Sequence, residues 1–152
     1  MRLTRFNVQV QSRIAALVLF VLLALIALSE LIFNNLGALN GDPAGTGQAL
    51  GLTPAQQRTR LLILIALDAI AGGGALLAII GLLARNRAIA HGALVCATGF
   101  LAYGLYQIFA ALTQLNESLR PAAIGIGALY ALLGVAAWFV GRRVALSQAT
   151  RG

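Results

Sequence analysis

The sequence predicts an all-α integral membrane protein whose chain crosses the bilayer four times as an antiparallel four-transmembrane-helix bundle. Two observations carry this prediction. Of the 152 residues, 60% are hydrophobic and only 10% are charged, whereas a soluble domain carries about 25% charged residues. The apolar residues are also gathered into four long runs. A chain this short cannot bury so much apolar surface in its own core, so lipid must solvate much of it.

Each apolar run is long enough to span, because a hydrocarbon core about 30 Å thick needs roughly 20 helical residues at about 1.5 Å each. The expected spans of this single membrane domain are residues 14–33, 61–84, 88–113 and 122–141. The remaining parts are an N-terminal segment, an outer loop with a helix cap, and a C-terminal tail, at residues 1–13, 34–60 and 142–152. The very short link between the second and third spans forces an antiparallel hairpin.

All eleven basic residues are arginine, and their distribution predicts the orientation of the chain. Eight of them fall on one side of the membrane, namely Arg2, Arg5, Arg13, Arg85, Arg87, Arg142, Arg143 and Arg151. The other side has Arg58, Arg60 and Arg120. Basic residues in short loops favour the cytoplasm, so both termini are expected there, in a bacterial cytoplasmic membrane. Charges grouped between apolar runs indicate topology rather than a basic face for nucleic acid, so no nucleic-acid partner is expected.

The N-terminal segment allows two interpretations. Its apolar residues recur at helical spacing, which predicts a short interfacial helix lying on anionic headgroups. Alternatively, Arg13 followed by the apolar residues 14–28 resembles a signal peptide, with Ala27 and Ser29 as a weak cleavage site. We favour an uncleaved first helix, because the apolar run is long for a signal peptide and the charge pattern already fits.

The outer loop is rich in glycine, which predicts turns and mobility over most of its length. Its end is better defined. The run Thr53-Pro54-Ala55-Gln56 fits a capping box with proline at the first helical position. The second helix is therefore expected to begin near Pro54, and Pro121 similarly marks the start of the fourth.

Glycines within the last three spans recur at seven-residue spacing, at Gly74 and Gly81, Gly92 and Gly99, and Gly127, Gly134 and Gly141. This spacing keeps small residues along one seam of a left-handed bundle. Small residues let helix backbones approach closely where lipid provides no hydrophobic drive for association. The pattern therefore predicts close packing among these three spans.

A few polar side chains fall within the spans, where they are costly and tend to be functional. Asp68 is the most exceptional, because it is a carboxylate about 10 Å below the outer boundary by the helical rise. Other polar residues lie at similar depths on neighbouring helices, at Tyr103, Gln107, Tyr130 and Glu30. They predict a shared polar layer in which the tyrosines and glutamine donate hydrogen bonds to Asp68, or in which the Asp68 carboxyl group is protonated.

This polar layer has three interpretations. It can bind a small polar or amphipathic ligand, such as a quinone head or a lipid headgroup. It can act as a proton-coupled transport site with Asp68 as the titrating group. It can also join the helices to one another or to a partner subunit. We favour the last interpretation, because the spans carry few polar groups and long apolar faces.

Other chemistry is poorly supported. The single histidine, His91, can at most ligate one haem or (bacterio)chlorophyll shared with a partner, and an interfacial histidine without that role is favoured. His91 and Cys96 point in different directions on one helix and are too few for a metal site. The lone cysteine excludes thiol–disulfide relay chemistry within the chain, and common hydrolase and nucleotide-binding motifs are missing. No cofactor and no catalytic residue are predicted.

The sequence thus leads us to expect a non-enzymatic accessory or assembly subunit of a larger membrane complex. Its expected partners are the lipid bilayer and other membrane subunits, or further copies of itself, through its helix faces. The alternative is a protein for small-ligand binding or proton-coupled transport that uses the intramembrane Asp68.

Overall fold

The computed structural model describes the backbone of residues 2–149 and the side chains of residues 11–147. The elements in that range are α1 (Arg2–Ser29), a π-helical segment (Glu30–Leu36), α2 (Gly37–Asn40), α3 (Pro43–Leu50), α4 (Pro54–Ala84), α5 (Ala88–Thr113), a 3-10 turn (Glu117–Leu119) and α6 (Arg120–Ala149). Four helical stretches are long and apolar enough to cross a membrane, Gln11–Asn40, Pro54–Ala84, Ala88–Thr113 and Glu117–Ser147. The prediction of an all-α chain with four potential membrane spans is therefore confirmed over the described residues. Arg151 and the side chains of Arg2 and Arg5 lie outside the described residues.

The first helix is longer than the expected span of residues 14–33. It starts at Arg2, so the described part of the N-terminal segment continues directly into α1. At its other end the π-helical segment and α2 follow α1 without a break, and the helical stretch ends at Asn40. Hydropathy predicts that the first span ends at Phe33, because two asparagines follow it. The helix continues past them, since polar residues do not end a helix that packs against its neighbours.

The expectation of a turn-rich, mobile loop over residues 34–60 needs correction, because α3 occupies residues 43–50. The Asp42 carboxylate caps this helix by accepting a 2.9 Å hydrogen bond from the Gly45 amide. Gly51 ends it with a φ of 80°, a left-handed conformation that glycine adopts without strain. Gly47 lies against the side chain of Gln57. Gly51 therefore serves as a helix cap, and Gly47 allows close contact with α4.

Helix α4 begins at Pro54, as its capping box predicts. The Thr53 hydroxyl accepts a 3.3 Å hydrogen bond from the Gln56 amide, and the Gln56 side-chain oxygen accepts one of 2.9 Å from the Thr53 amide. Two backbone donors that the first helical turn leaves unpaired are satisfied in this way. We call this end of the bundle the Pro54 end, and the opposite end, where Arg85 links α4 to α5, the Arg85 end.

Helices α4 and α5 pack closely through glycine. The contacting pairs are Gly74 with Cys96, Gly81 with Ile89, Gly92 with Ala78, and Gly99 with Ala71. Residue numbers rise along one helix as they fall along the other, so the two helices run antiparallel. A β-carbon at any of these glycines would overlap the facing backbone. The prediction that the seven-residue glycine spacing allows close packing is confirmed for this pair.

The same spacing continues between α5 and α6, where Gly127 contacts Gly104 and Gly134 contacts the backbone of Ala97. Helix α5 thus lies between α4 and α6, while α1 packs mainly on α4. Phe20 of α1 reaches the level of Gly141 at the Arg85 end. The N-terminal half of α1 is therefore at the Arg85 end, and its continuation to Asn40 is at the Pro54 end.

Candidate functional site

The most deeply placed acidic residue, Asp68 of α4, is 1% exposed and has a partner from the first helical stretch. The Asn35 amide nitrogen donates a 2.6 Å hydrogen bond to Asp68 Oδ2, and Asn35 is itself buried. Asn35 is not predicted as a site residue from sequence, because its position after the first apolar run indicates the outer loop. The π-helical segment carries the helix past Phe33 and brings Asn35 against α4. Pairing reduces the cost of holding a carboxylate in this layer.

A second polar group lies on α5 and extends toward the Pro54 end. The Gln107 amide nitrogen donates to the Tyr103 hydroxyl at 3.3 Å, across one helical turn. The Arg60 guanidinium of α4 donates to Gln107 Oε1 at 3.0 Å. Arg60 is partly buried, although its position before the second apolar run predicts a place in the outer loop and helix cap. The Arg60 guanidinium therefore takes part in the polar layer through its hydrogen bond to Gln107.

Tyr103 lies near both groups. Asn35 and Asp68 are close to its hydroxyl, and the described hydrogen bond of this hydroxyl is the one that it accepts from Gln107. Two hydrogen-bonded groups thus lie close together, Asp68 with Asn35, and Tyr103 with Gln107 and Arg60. The prediction that the tyrosines and the glutamine donate to Asp68 needs correction, because among the described side chains the donor to this carboxylate is Asn35.

Tyr130 brings α6 into the same layer. Its ring stacks on that of Tyr103 with centroids 4.4 Å apart and planes 20° from parallel. The Phe100 ring also contacts Tyr130, with centroids 5.6 Å apart. Glu30, at the start of the π-helical segment, lies near Tyr130. Aromatic rings from α5 and α6 therefore meet at the level of the polar layer.

The structure therefore brings together all the residues named for the polar layer: Asp68, Tyr103, Gln107, Tyr130 and Glu30. It adds Asn35 and Arg60, which sequence reasoning missed. Exposure distinguishes their roles, because Glu30 is partly exposed whereas Asp68, Tyr103, Tyr130 and Gln107 are all buried. The interior of the layer is thus closed by the bundle, and Glu30 lies at its edge.

One buried polar side chain near this layer makes no hydrogen bond with protein atoms. Gln57, in the first turn of α4, is 1% exposed, and neither its amide nitrogen nor its amide oxygen has a partner. The Nε atom of Arg60, one turn along the same helix, is likewise unpaired. Buried polar groups are usually hydrogen-bonded. The beginning of α4 therefore has unused hydrogen-bonding capacity next to the Gly47 contact of α3.

His91 and Cys96 lie away from the polar layer. His91 is exposed at the Arg85 end, with Nδ1 3.3 Å from the Arg87 carbonyl oxygen. Cys96 is fully buried where Gly74 packs. Among the described residues, no three histidine, cysteine or acidic side chains are grouped as metal ligands would be.

Comparison of the chain with protein-family models, with curated protein sequences and with solved structures finds no match. Any assignment of function must therefore come from the chemistry of the described side chains.

Proposed function

We propose that this protein is a non-enzymatic accessory or assembly subunit of a larger membrane protein complex. The observation that carries the proposal is the position of Glu30, a partly exposed carboxylate within the first membrane-spanning stretch. Tyr130 of α6 lies near it. Carboxylates that face lipid are costly and usually pair with another polar group. A partner helix that carries a hydrogen-bond donor would cover the open side of Glu30.

The surface around Glu30 suits contact with another helix. Phe33, one turn along the same helix, is 75% exposed, and Leu129, beside Tyr130 on α6, is 54% exposed. Exposed apolar side chains are therefore present on the element that carries Glu30 and on α6, which carries Tyr130. In a membrane, helix association relies on packing and on hydrogen bonds between helices. An acidic group together with exposed apolar side chains provides both, and we call the exposed parts of Glu30, Phe33 and Leu129 the Glu30 surface.

The proposal includes an orientation. Arg13, Arg85, Arg87, Arg142 and Arg143 all belong to the Arg85 end, and positive residues in short loops favour the cytoplasm. We therefore propose that the Arg85 end and both termini face the cytoplasm of a bacterium. The Glu30 surface would then lie in the outer half of the cytoplasmic membrane.

A site-specific cross-linking experiment in the native membrane tests the subunit proposal. A photoreactive phenylalanine analogue replaces Phe33 on the Glu30 surface or, as the matched control, Leu62 on α4, which is 51% exposed. We expect the analogue at Phe33 to cross-link one discrete membrane protein other than the chain itself, and the analogue at Leu62 not to do so. Glu30→Leu should reduce the Phe33 cross-link at least fivefold, whereas Glu117→Gln should leave it unchanged. Cross-links to lipid or to copies of the chain alone would overturn the proposal.

A second candidate function is proton-coupled transport or small-ligand binding at Asp68. The buried Asp68 carboxylate favours it, because an ionisable side chain inside a membrane-spanning segment is typical of ligand and ion pathways. Proteoliposomes with an imposed pH gradient and the lipophilic cation tetraphenylphosphonium provide the test. Uptake that is lost in Asp68→Asn but retained in Asp42→Asn would support the candidate. Uptake equal to that of protein-free vesicles, or equal in Asp68→Asn and the wild type, would reject it.

A further inference from the structure

A cavity lies at the Arg85 end of the bundle, far from Glu30 and Asp68. It has a volume of about 770 Å³ and is bounded by the α4–α5 link, the first turns of α5 and the last turns of α6. Polar lining residues include Arg85, Arg87 and Arg142, and apolar ones include Leu94 and Trp138. One cavity therefore combines a cluster of positive charges with an apolar wall.

The three arginines at this cavity are exposed, and no carboxylate in the described part of the chain pairs with them. The described ion pair joins Arg120 to Glu117 at the opposite end of the bundle. The Arg142 guanidinium lies over the Trp138 ring, 5.4 Å from its centroid, which holds this charge against the apolar wall. The cavity is thus complementary to an anion.

The apolar wall extends deeper along the bundle than the arginines do. Leu94 follows Arg87 by seven residues on α5, which is about 10 Å at the helical rise. Trp138 precedes Arg142 by four residues on α6, which is about 6 Å in the same direction. Leu94 is more than half exposed. An occupant with its anionic group at the arginines would therefore place an apolar chain against Leu94 and Trp138.

We propose that this cavity binds an anionic phospholipid, with its phosphate between Arg85, Arg87 and Arg142 and an acyl chain along Leu94 and Trp138. Basic pockets between helices at a membrane surface recognise such headgroups. An indole near a headgroup is also well placed. This site shares no residue with the Glu30 surface or with the polar layer, so its test is independent of the test of the proposed function.

The single tryptophan of the chain makes the site directly measurable, since Trp138 is the one indole that fluoresces. The purified full chain is reconstituted in vesicles of phosphatidylcholine with a minor fraction of phosphatidylglycerol. Bromine atoms on the acyl chains quench indole fluorescence on contact, and either lipid can carry them. We expect brominated phosphatidylglycerol to quench Trp138 more strongly than its mole fraction predicts. Quenching in proportion to mole fraction for both lipids would overturn the proposal.

Variants distinguish the cavity from the general surface charge. Arg87→Gln combined with Arg142→Gln should reduce the preference for phosphatidylglycerol by about fivefold per arginine removed. The matched control, Arg58→Gln with Arg143→Gln, loses the same charge from residues that do not line the cavity and should keep the preference. Each variant is normalised to its own fluorescence in unbrominated lipid, because Arg142 contacts the indole. Equal losses in both double variants would overturn the proposal.

A third variant distinguishes loss of lipid binding from misfolding. Ala90 is exposed and lines the same cavity, in the first turn of α5, where a glutamate is favourable. Ala90→Glu places a carboxylate among the arginines, where it competes with the lipid phosphate while the helix stays intact. Loss of the preference in Ala90→Glu with unchanged helical content supports the site. Retention of the full preference in this variant would overturn it.

Discussion

The Asn35 side-chain amide donates a 2.6 Å hydrogen bond to the Asp68 carboxylate, joining the first membrane-spanning stretch to α4 inside the bundle. The two residues are 33 positions apart, and both are buried. Because the amide pairs with a charged or polar acceptor away from water, its removal should cost more than its own hydrogen bond. The contribution of each hydrogen-bonded pair in the polar layer to the free energy of unfolding can therefore be tested by substituting its members.

Asn35→Leu should lower the free energy of unfolding in mild detergent by about 1–3 kcal/mol, because it leaves a buried Asp68 oxygen without a donor. Equilibrium unfolding with a denaturing detergent, followed by circular dichroism, measures the change. The neighbouring Asn34 is exposed, so Asn34→Leu is the control and should change stability by less than about 0.5 kcal/mol. Equal effects of the two variants would contradict the pairing.

Arg60 and Gln107 should be energetically coupled, because the guanidinium donates to the amide oxygen at 3.0 Å. A double-mutant cycle with Arg60→Leu and Gln107→Leu should give a coupling energy of about 0.5–3 kcal/mol. The matching cycle with Arg58→Leu, which alters an exposed arginine, should be additive within about 0.5 kcal/mol. Unfolding in detergent measures both cycles, and equal coupling in the two would show that the contact carries no specific energy.

Gly92→Ala should destabilise the bundle by about 1–3 kcal/mol, because the added methyl group would force α5 away from α4. The β-carbon at this position would overlap the backbone of Ala78. Gly73 is the matched control for the same substitution, since a β-carbon there meets nothing within 4 Å. Gly73→Ala should leave stability unchanged or raise it by up to about 1 kcal/mol through helix propensity. Thermal unfolding in detergent measures both, and a loss of similar size at Gly73 would contradict the packing.

Asp42→Ala should loosen α3 without affecting the membrane-spanning helices. Loss of an N-cap costs about 1 kcal/mol, which is roughly a fivefold change in an opening equilibrium. Hydrogen–deuterium exchange of residues 43–50 should accelerate by about that factor, whereas Asp42→Ser should largely preserve protection. Exchange in the wild type as fast as in an unstructured peptide would restore the expectation of a mobile loop.

Local sequence patterns predicted much of the fold correctly. Helix α5 occupies the range expected from hydropathy, and α4 begins at the capping box around Thr53. The predicted and observed elements differ most at α3, where a loop was expected and Asp42 and Gly51 are the cap residues of a helix. The intervening glycines suggested a loop because glycine lowers helix propensity. Contact between Gly47 and Gln57 stabilises this short helix, and propensity does not include such contacts.

The polar layer was predictable in part for a similar reason. Helical rise alone puts Asp68, Tyr103 and Tyr130 at comparable depths, so their proximity followed once the helices were assigned. Depth does not determine which way a side chain points around its helix. Asn35 as the partner of Asp68, and Arg60 as the partner of Gln107, depend on helix rotation and on the extension of the first helix to Asn40.

The sequence by itself determined the helical class, the number of potential spans and the seam along which glycines pack, because apolar length and residue spacing are properties of single helices. Only the tertiary structure decided which polar groups meet, that Glu30 remains partly exposed, and that Arg87 and Arg142 share a cavity with Trp138. These relationships join residues on different helices. Their distances depend on how the helices rotate and approach, and packing among all of them sets that arrangement.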